Sequence, residues 1–546
     1  MKWQLRFAAC VFFAVWAMAA KSTAQTTRPA TYDVRAFGAA GDGKALDTAA
    51  IDKAIDAAAS AGGGTVLFPA GDYLSVTIHL KSNVALYLDQ GATIVAADPK
   101  EGHRYDNPEP NEKWEFYQDF GHTHWRNSLI WGENLQNVSI LGPGTIYGKG
   151  LVRSGGASRP KSAQGDEKKT DAPKRPKGPF GYPSPGDTVE DGWGNKALAL
   201  KLCRNVTVRD VTFRHGGHFA ILATGVDNLT IDNVKIDTNR DGMDVDCCRN
   251  VRISNCTVNS PFDDGICLKS THSLGFARAC ENVTITNCQV SGYDEGTYLD
   301  GTFKRDYKKY SHSSPTGRIK FGTESNGGFK NVTISNCVFD YCRGLALETV
   351  DGGLLEDVAI SNITMRDIAN APIYLRLGAR LRGPEGTVVG KLRRVTISNV
   401  IVHNAPRDQG VIIAGIPEHP VEDVVLDNVR IDYPGGGAAE MASAEFKNDV
   451  KAYPEPSSHG VTPAYGLFAQ HVRGLEVRNF RTTVEKDDAR SPIALDDVKG
   501  ADFSNVSTAH AADVPVIRQK DVEDLTTHRV RGIADTAEAK VAQGKP

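Results

Sequence analysis

The segment Asn228-Leu-Thr-Ile-Asp-Asn233 returns six more times along this chain, and no other feature narrows the possible folds as much. The copies are Asn250-Val-Arg-Ile-Ser-Asn255, Asn282-Val-Thr-Ile-Thr-Asn287, Asn331-Val-Thr-Ile-Ser-Asn336, Asp357-Val-Ala-Ile-Ser-Asn362, Arg394-Val-Thr-Ile-Ser-Asn399 and Asp423-Val-Val-Leu-Asp-Asn428. Each alternates apolar and polar residues, the period of a short half-buried strand. The closing asparagines lie 22, 32, 49, 26, 37 and 29 residues apart. A constant strand with variable excess length marks a solenoid whose loops are inserted on one side. Asparagine tolerates left-handed backbone at a turn, and stacked amides can bond one another along the axis. No helical pattern separates the strands, so the expected fold is all-β, a right-handed parallel β-helix. A propeller, the main rival, has longer blades and a steadier period.

A solenoid must cover its open ends. Residues 32–97 suit the N-terminal end: Asp47 or Thr48 is placed to cap a helix with Ile51, Ala54, Ile55 and Ala58 on one face, and Gly62-Gly63-Gly64 ends it. Strand patterns follow over 65–68, 74–80 and 84–88. The β-helix is expected over 31–510. Residues 101–195 break the pattern and read as a loop-rich insertion. Its first part carries Trp114, Phe116, Tyr117, Trp125 and Trp131 among His103, His122 and His124; its second part, 154–185, is rich in Pro, Lys and Gly. Aromatic side chains there serve either as walls for sugar rings or as a local core, and both readings stay open. Residues 513–546 read as a terminal cap or a loosely ordered tail.

Residues 1–24 have the form of an export signal: Lys2 and Arg6, an apolar run from Phe7 to Ala20, then Ser22-Thr23-Ala24. A periplasmic or secreted protein is expected, with no later membrane span. The formal charge of −3 becomes −6 without those residues, which carry three cations and no acids. A mildly acidic chain with no basic stripe argues against nucleic acid as a partner. Of ten cysteines, Cys10 lies in the signal. Cys256, Cys288 and Cys337 each follow the Asn of a repeat, a position for stacked small core residues. Cys247 and Cys248 are adjacent, which does not suit zinc. Neither a metal nor a cofactor is expected, and a monomer is.

Two acidic turns stand out: Asn239-Arg240-Asp241-Gly242 and Phe262-Asp263-Asp264-Gly265. Asp241 and Asp263 are 22 residues apart, as are Asn233 and Asn255. Residues one coil apart lie on adjacent strands, about 4.8 Å away. Asp241, Asp263 and Asp264 should therefore share one patch, where mutual repulsion leaves a proton on one of them. A protonated and an ionised carboxyl facing each other suit acid–base cleavage of a glycosidic bond. Consecutive residues of a strand face opposite ways, so Asp263 and Asp264 must sit in a bend, for which Pro261 and Gly265 are suited. A solvated turn ladder or a Ca²⁺ site is the alternative use of such a cluster.

These two motifs, with Phe37-Gly38-Ala-Ala-Gly41-Asp42-Gly43 near the start and Gly322-Thr-Glu324-Ser-Asn-Gly327-Gly328 later, resemble family 28 of the glycoside hydrolases, the polygalacturonase and rhamnogalacturonan hydrolase family, over most of residues 32–510. The resemblance implies a pectic polysaccharide or oligosaccharide substrate and inversion at the anomeric carbon. It implies Asp263 as general acid, Asp241 and Asp264 as water-activating bases, and Asn239 beside the substrate. The chain departs from the family twice. Thr316-Gly317-Arg318 stands where Gly-His-Gly is usual, and Ala346-Leu347-Glu348 stands where an Arg-Ile-Lys grips a uronate carboxylate. Either the sugar beyond the scissile bond is neutral, or Arg318, Lys320 or Arg376 supplies the missing cation. Glu324 and Glu348 are then candidates for bonding sugar hydroxyls. His218 lies about one coil before Asp241 and is a further candidate at the site, while a surface role fits it equally. The length of the 101–195 insertion suggests a groove closed at one end and exo-action. Rival functions are a Ca²⁺-dependent β-helix pectate lyase and a non-catalytic carbohydrate-binding β-helix.

Overall fold

The structure, a computed structural model, describes residues 31–110, 114–152, 191–306 and 315–543. The expected export signal and the Pro-rich stretch 154–185 lie outside those residues. The repeats form the rungs expected of them. Leu229, Val251, Val283, Val332, Val358, Val395 and Val424 are successive partners in parallel register. All seven are buried in one apolar core that runs from Tyr32 to Val530. The flanking asparagines adopt left-handed backbone, for example Asn228 at φ 57°, Asn250 at 56° and Asn282 at 56°. Their amides form the anticipated ladder: Asn250 donates to Asn228 at 3.1 Å, Asn282 to Asn250 at 3.1 Å and Asn331 to Asn282 at 2.8 Å.

Early coils have three strands, as in Asp241–Asp246, Arg249–Ser254 and Thr257–Asn259. In later coils the second and third merge, as in Leu354–Arg366. The first strands of successive coils form one sheet that matters below: Phe219–Thr224, Asp241–Asp246, Ile266–Ser270, Ile319–Ser325, Leu345–Thr349, Ile373–Leu377 and Val411–Ala414. Alternation along these strands sends Met243, Leu268, Phe321 and Leu347 into the core. Asp244, Lys269, Lys320 and Glu348 then fall on the outer face.

The capping helix is Thr48–Ser60, with Ala50, Ile51, Ala54, Ile55 and Ala58 buried. Its capping differs from expectation. The Asp47 side chain makes no cap bond and accepts from Ala40 N at 2.7 Å and Gly41 N at 3.1 Å instead, which fixes the Gly-Asp-Gly loop. Thr48 Oγ1 accepts from Val76 N at 3.0 Å. The strand expected over 74–80 is broken into Gly71–Ser75 and Ile78–His79.

Two boundaries move. Residues 101–195 are not one insertion: Ile130–Glu133, Gln136–Leu141 and Thr145–Tyr147 make a regular coil inside it. Asn137-Val-Ser-Ile is a further copy of the repeat, and it separates two excursions. The helix also runs past 510. Ile517–His528 pairs in parallel with Ser491–Ser504, and Thr536–Gln543 closes that end in the antiparallel sense. All nine described cysteines are buried and free, with Cys256, Cys288 and Cys337 in the core.

Candidate active site

Register explains how two consecutive aspartates reach one site. Asp237 pairs with Asn259, an offset of 22, whereas Met243 pairs with Ile266, an offset of 23. One extra residue is therefore held in the turn 260–265. It brings Asp264, rather than Asp263, level with Asp241, and Gly242 N donates to Asp264 O at 3.0 Å. Asp263 is lifted out of strand alternation and faces the same cleft. Ser260 Oγ bonds Arg240 O at 2.6 Å and Asp263 O at 3.0 Å, and Gly317 N donates to Asp263 O at 2.8 Å, so the turn is tied on both sides. Gly242 is needed there: a Cβ would lie 2.4 Å from Gly265 O.

One oxygen from each of Asp241, Asp263 and Asp264 lies within 4.8 Å of the others. Their surroundings differ sharply. Asp241 is 4% exposed and Asp264 2%, whereas the Asp263 side chain is 32% exposed. Burial first, then the charges of Asp263 and Asp244, lift the proton affinity of Asp241 well above the carboxylate range, against Arg240 and Lys269. At Asp264 burial works in the same direction, but Lys320 and Arg318 override it and hold the carboxyl well below that range. Arg318 Nε donates to Asp264 Oδ1 at 2.9 Å, and Lys320 Nζ stands 3.3 Å from Oδ2. Arg240 Nε bridges the other two, 3.0 Å from Asp263 and 3.5 Å from Asp241. The cluster thus pairs a proton-holding carboxyl with an ionised one, the requirement for acid–base chemistry.

The remaining expected residues divide. His218 is buried against Arg240, and burial followed by that guanidinium pushes its imidazole down to about 4, so it is neutral at pH 7. Asn239 keeps a buried Oδ1 that meets no hydrogen-bond partner. Glu348 stands 3.5 Å from Lys320 and 3.9 Å from Arg318, so it balances those cations within the protein. Glu324, on the same strand as Lys320, accepts from Lys269 at 3.0 Å with Arg382 at 3.7 Å. Arg376 is engaged within the protein. It donates to Asn448 Oδ1 at 2.6 Å, Asp449 O at 3.1 Å and Gly415 O at 3.3 Å, holding a loop.

Several contributors carry no local signal in the sequence. Asp119, from the first excursion, stands 3.3 Å from both Arg240 and His218. Glu455 takes Arg318 in a fork at 3.1 and 2.8 Å, and Tyr453 stands over Lys320 at 5.5 Å, 51% exposed. Arg240, inside the first acidic motif, was the one legible omission: a cation beside paired carboxylates is a predictable partner. The aromatic excursion packs in part on the β-helix. Trp125 packs with Trp131 on Ala199, Phe219 and Leu222, while Trp114 and Trp125 line a cavity of about 210 Å³ with Glu109, Arg126 and Lys201.

The chain is similar to known proteins over these regions. Residues 188–304 match the family described as "Right handed beta helix region", and residues 31–123 match "Rhamnogalacturonase A/epimerase, pectate lyase-like". It is 24% identical over 383 residues to the exo-poly-alpha-D-galacturonosidase of Dickeya chrysanthemi, covering 65% of this chain and 58% of that protein's length. It is also 24% identical to a probable polygalacturonase of Vitis vinifera, covering 78% of each. Among solved structures, the family 28 exopolygalacturonase of Yersinia enterocolitica superposes with a TM-score of 0.59 at 19% identity, covering 87% of this chain and 78% of that one. The parallel β-helix is the fold they share. No helix among the described residues is long and apolar enough to cross a membrane.

Proposed function

We propose that the chain is a family 28 glycoside hydrolase and that it hydrolyses glycosidic bonds of a pectic saccharide with Asp241, Asp263 and Asp264. The observation that carries the reading is the set of opposed proton affinities within one 4.8 Å cluster. Arg240 bridges Asp241 and Asp263. Asp263 has the exposed carboxyl and delivers a proton to the leaving oxygen. Asp264, fixed by Arg318 and Lys320, takes the proton of the attacking water, with Asp241 as the water's second partner. Carboxyl groups that admit a water are usually about 6.5–9.5 Å apart. The tighter cluster here means that inversion rests on the family and on the immobile Asp264, which is too firmly bonded to act as a travelling nucleophile.

Around Asp264 three cations, Arg318, Lys320 and Arg343, face three carboxyl groups: Asp264, Glu348 and Glu455. Each of these cations already has a carboxyl partner within the protein, which supports a neutral sugar such as rhamnose beyond the scissile bond. Exo-action is supported by the Dickeya relative's name and by Asp119 and Glu455, which bring the first excursion and the later loop against the site. The amino-terminal sequence supports export. A Ca²⁺-dependent lyase is disfavoured because Arg240, Arg318 and Lys320 already stand against the three carboxylates and would repel a divalent cation.

Product analysis on homogalacturonan and rhamnogalacturonan oligosaccharides tests this. Wild type should release saturated single sugars, Asp263→Asn should lose at least ~10³-fold in kcat, and NMR should show the first product with inverted anomeric configuration. Unsaturated products, chelator sensitivity or a fully active Asp263→Asn would each sink the reading.

A further inference from the structure

A long loop, residues 436–463, leaves the helix after the strand Val421–Gly435 and returns at Ala464–Arg478. Between those points it lies along the outer face of the groove sheet. Asn448 bonds Gln470 at 2.7 Å on its own coil, Arg376 holds Asn448 and Asp449, and His459 Nε2 meets Tyr374 Oη at 2.8 Å. Phe446 stacks on His459 at 4.3 Å and packs on Phe468 at 4.5 Å. Its tip reaches Arg318, the residue before Ile319–Ser325, four strand steps from Ala464–Arg478. Four steps are about 19 Å. A loop so firmly seated can deliver a side chain with the accuracy a catalytic geometry needs.

The side chain delivered is Glu455. Its two oxygens receive both terminal nitrogens of Arg318, and Asn370 Nδ2 donates to Oε1 at 2.9 Å with Arg343 3.3 Å away. A guanidinium gripped at its far end presents Nε in one direction only, and that direction is Asp264 Oδ1. We propose that Glu455 is a positioning residue, which acts through Arg318 to hold the Asp264 carboxylate in the orientation that receives the water's proton. This rests on the hydrolase reading above. Glu455 touches no reacting atom; it sets where Arg318 points.

The test compares Glu455→Gln, Glu455→Asp, Arg318→Lys and the double variant Glu455→Gln/Arg318→Lys in the full chain, with Asp263→Asn alongside. Glu455→Gln should lower kcat about 10- to 100-fold while KM stays within about twofold. Its acid limb in the kcat/KM profile should move to higher pH, because a loosened Arg318 stabilises ionised Asp264 less. Glu455→Asp should recover part of the loss, and the double variant should be no worse than the worse single. Should Glu455→Gln fail to fold, Arg318→Lys keeps the charge, loses the fork and carries the same expectation. A kcat within threefold of wild type, or multiplicative losses in the double variant, overturns the inference. If Asp263→Asn is inactive while Glu455→Gln is unaffected, the inference fails and the hydrolase reading stands. If Asp263→Asn is active, both fall.

Discussion

Glu348 shows how one side chain's surroundings become a property of the whole protein. It is fully buried, and burial, against the pull of Lys320 and Arg318, lifts its carboxyl to about 7. An unfolded glutamate titrates near about 4.3. The folded chain therefore holds that proton more tightly, so the contribution to stability is complete below about pH 4.3 and is lost as pH rises toward about 7. Glu348→Gln cannot ionise. Its unfolding free energy should stay flat where that of wild type falls, leaving a gap on the order of 1–3 kcal/mol at pH 7.5. Denaturant titrations at pH 4.5 and 7.5 check this, and parallel slopes in both proteins count against it. Sequence alone suggested Glu348 as a group that repels uronate or bonds sugar. What it could not show is that Arg318 and Lys320 turn toward Glu348, because a connection of variable length hides the register in which Lys320 pairs with Ala346. The three aspartates were legible because both acidic turns carry an Asp-Gly signature at the spacing of the repeat. Glu455 was not, since 137 residues separate it from Arg318.

At the scale of single elements, the turns matter more than the strands. Asn282 sits at φ 56° and both donates to Asn250 and accepts from Asn331. Alanine there loses two ladder bonds and strains a left-handed backbone, about 1–3 kcal/mol in all. Asn282→Gly should recover the backbone part, so urea midpoints should rank wild type, Gly, Ala. An Ala variant as stable as Gly would mean that the left-handed turn is relieved elsewhere. These turns were readable because the chemistry that permits positive φ is confined to few residue types. The coil over Ile130–Tyr147 was not read, because its single copy of the repeat lies between two excursions rich in aromatic residues. The cap at Asp47 was misjudged for a different reason: a carboxylate near a helix start has competing donors, and here the loop amides of Ala40 and Gly41 win.

For the whole molecule, stability accumulates coil by coil, and an open end exposes apolar rows and unpaired strand edges. Ile517–His528 and Thr536–Gln543 cover the end formed by Ser491–Ser504. A chain stopped at residue 510 should expose that end and self-associate, seen as higher oligomers in size-exclusion chromatography at micromolar concentration, whereas the full chain should not. A monodisperse truncated chain would show that the last coil is dispensable. The tail's composition hid this role. Its strand pattern, Val522-Glu-Asp-Leu525, lacks the asparagine that flags earlier rungs, and its turns use Asp521 and Asp524 at φ 52° and 61° instead.

The single surplus residue between Asn259 and Ile266 has a wider meaning. A stack of equivalent rungs is a one-dimensional crystal, and in a perfect crystal no site differs from its neighbour. The surplus residue is a dislocation. It shifts the register at this turn and gives that place an address, so that acids of two neighbouring coils meet there. Rungs can be gained or lost on either side without erasing the address, which leaves the length of the rod and the position of its chemistry free to change independently.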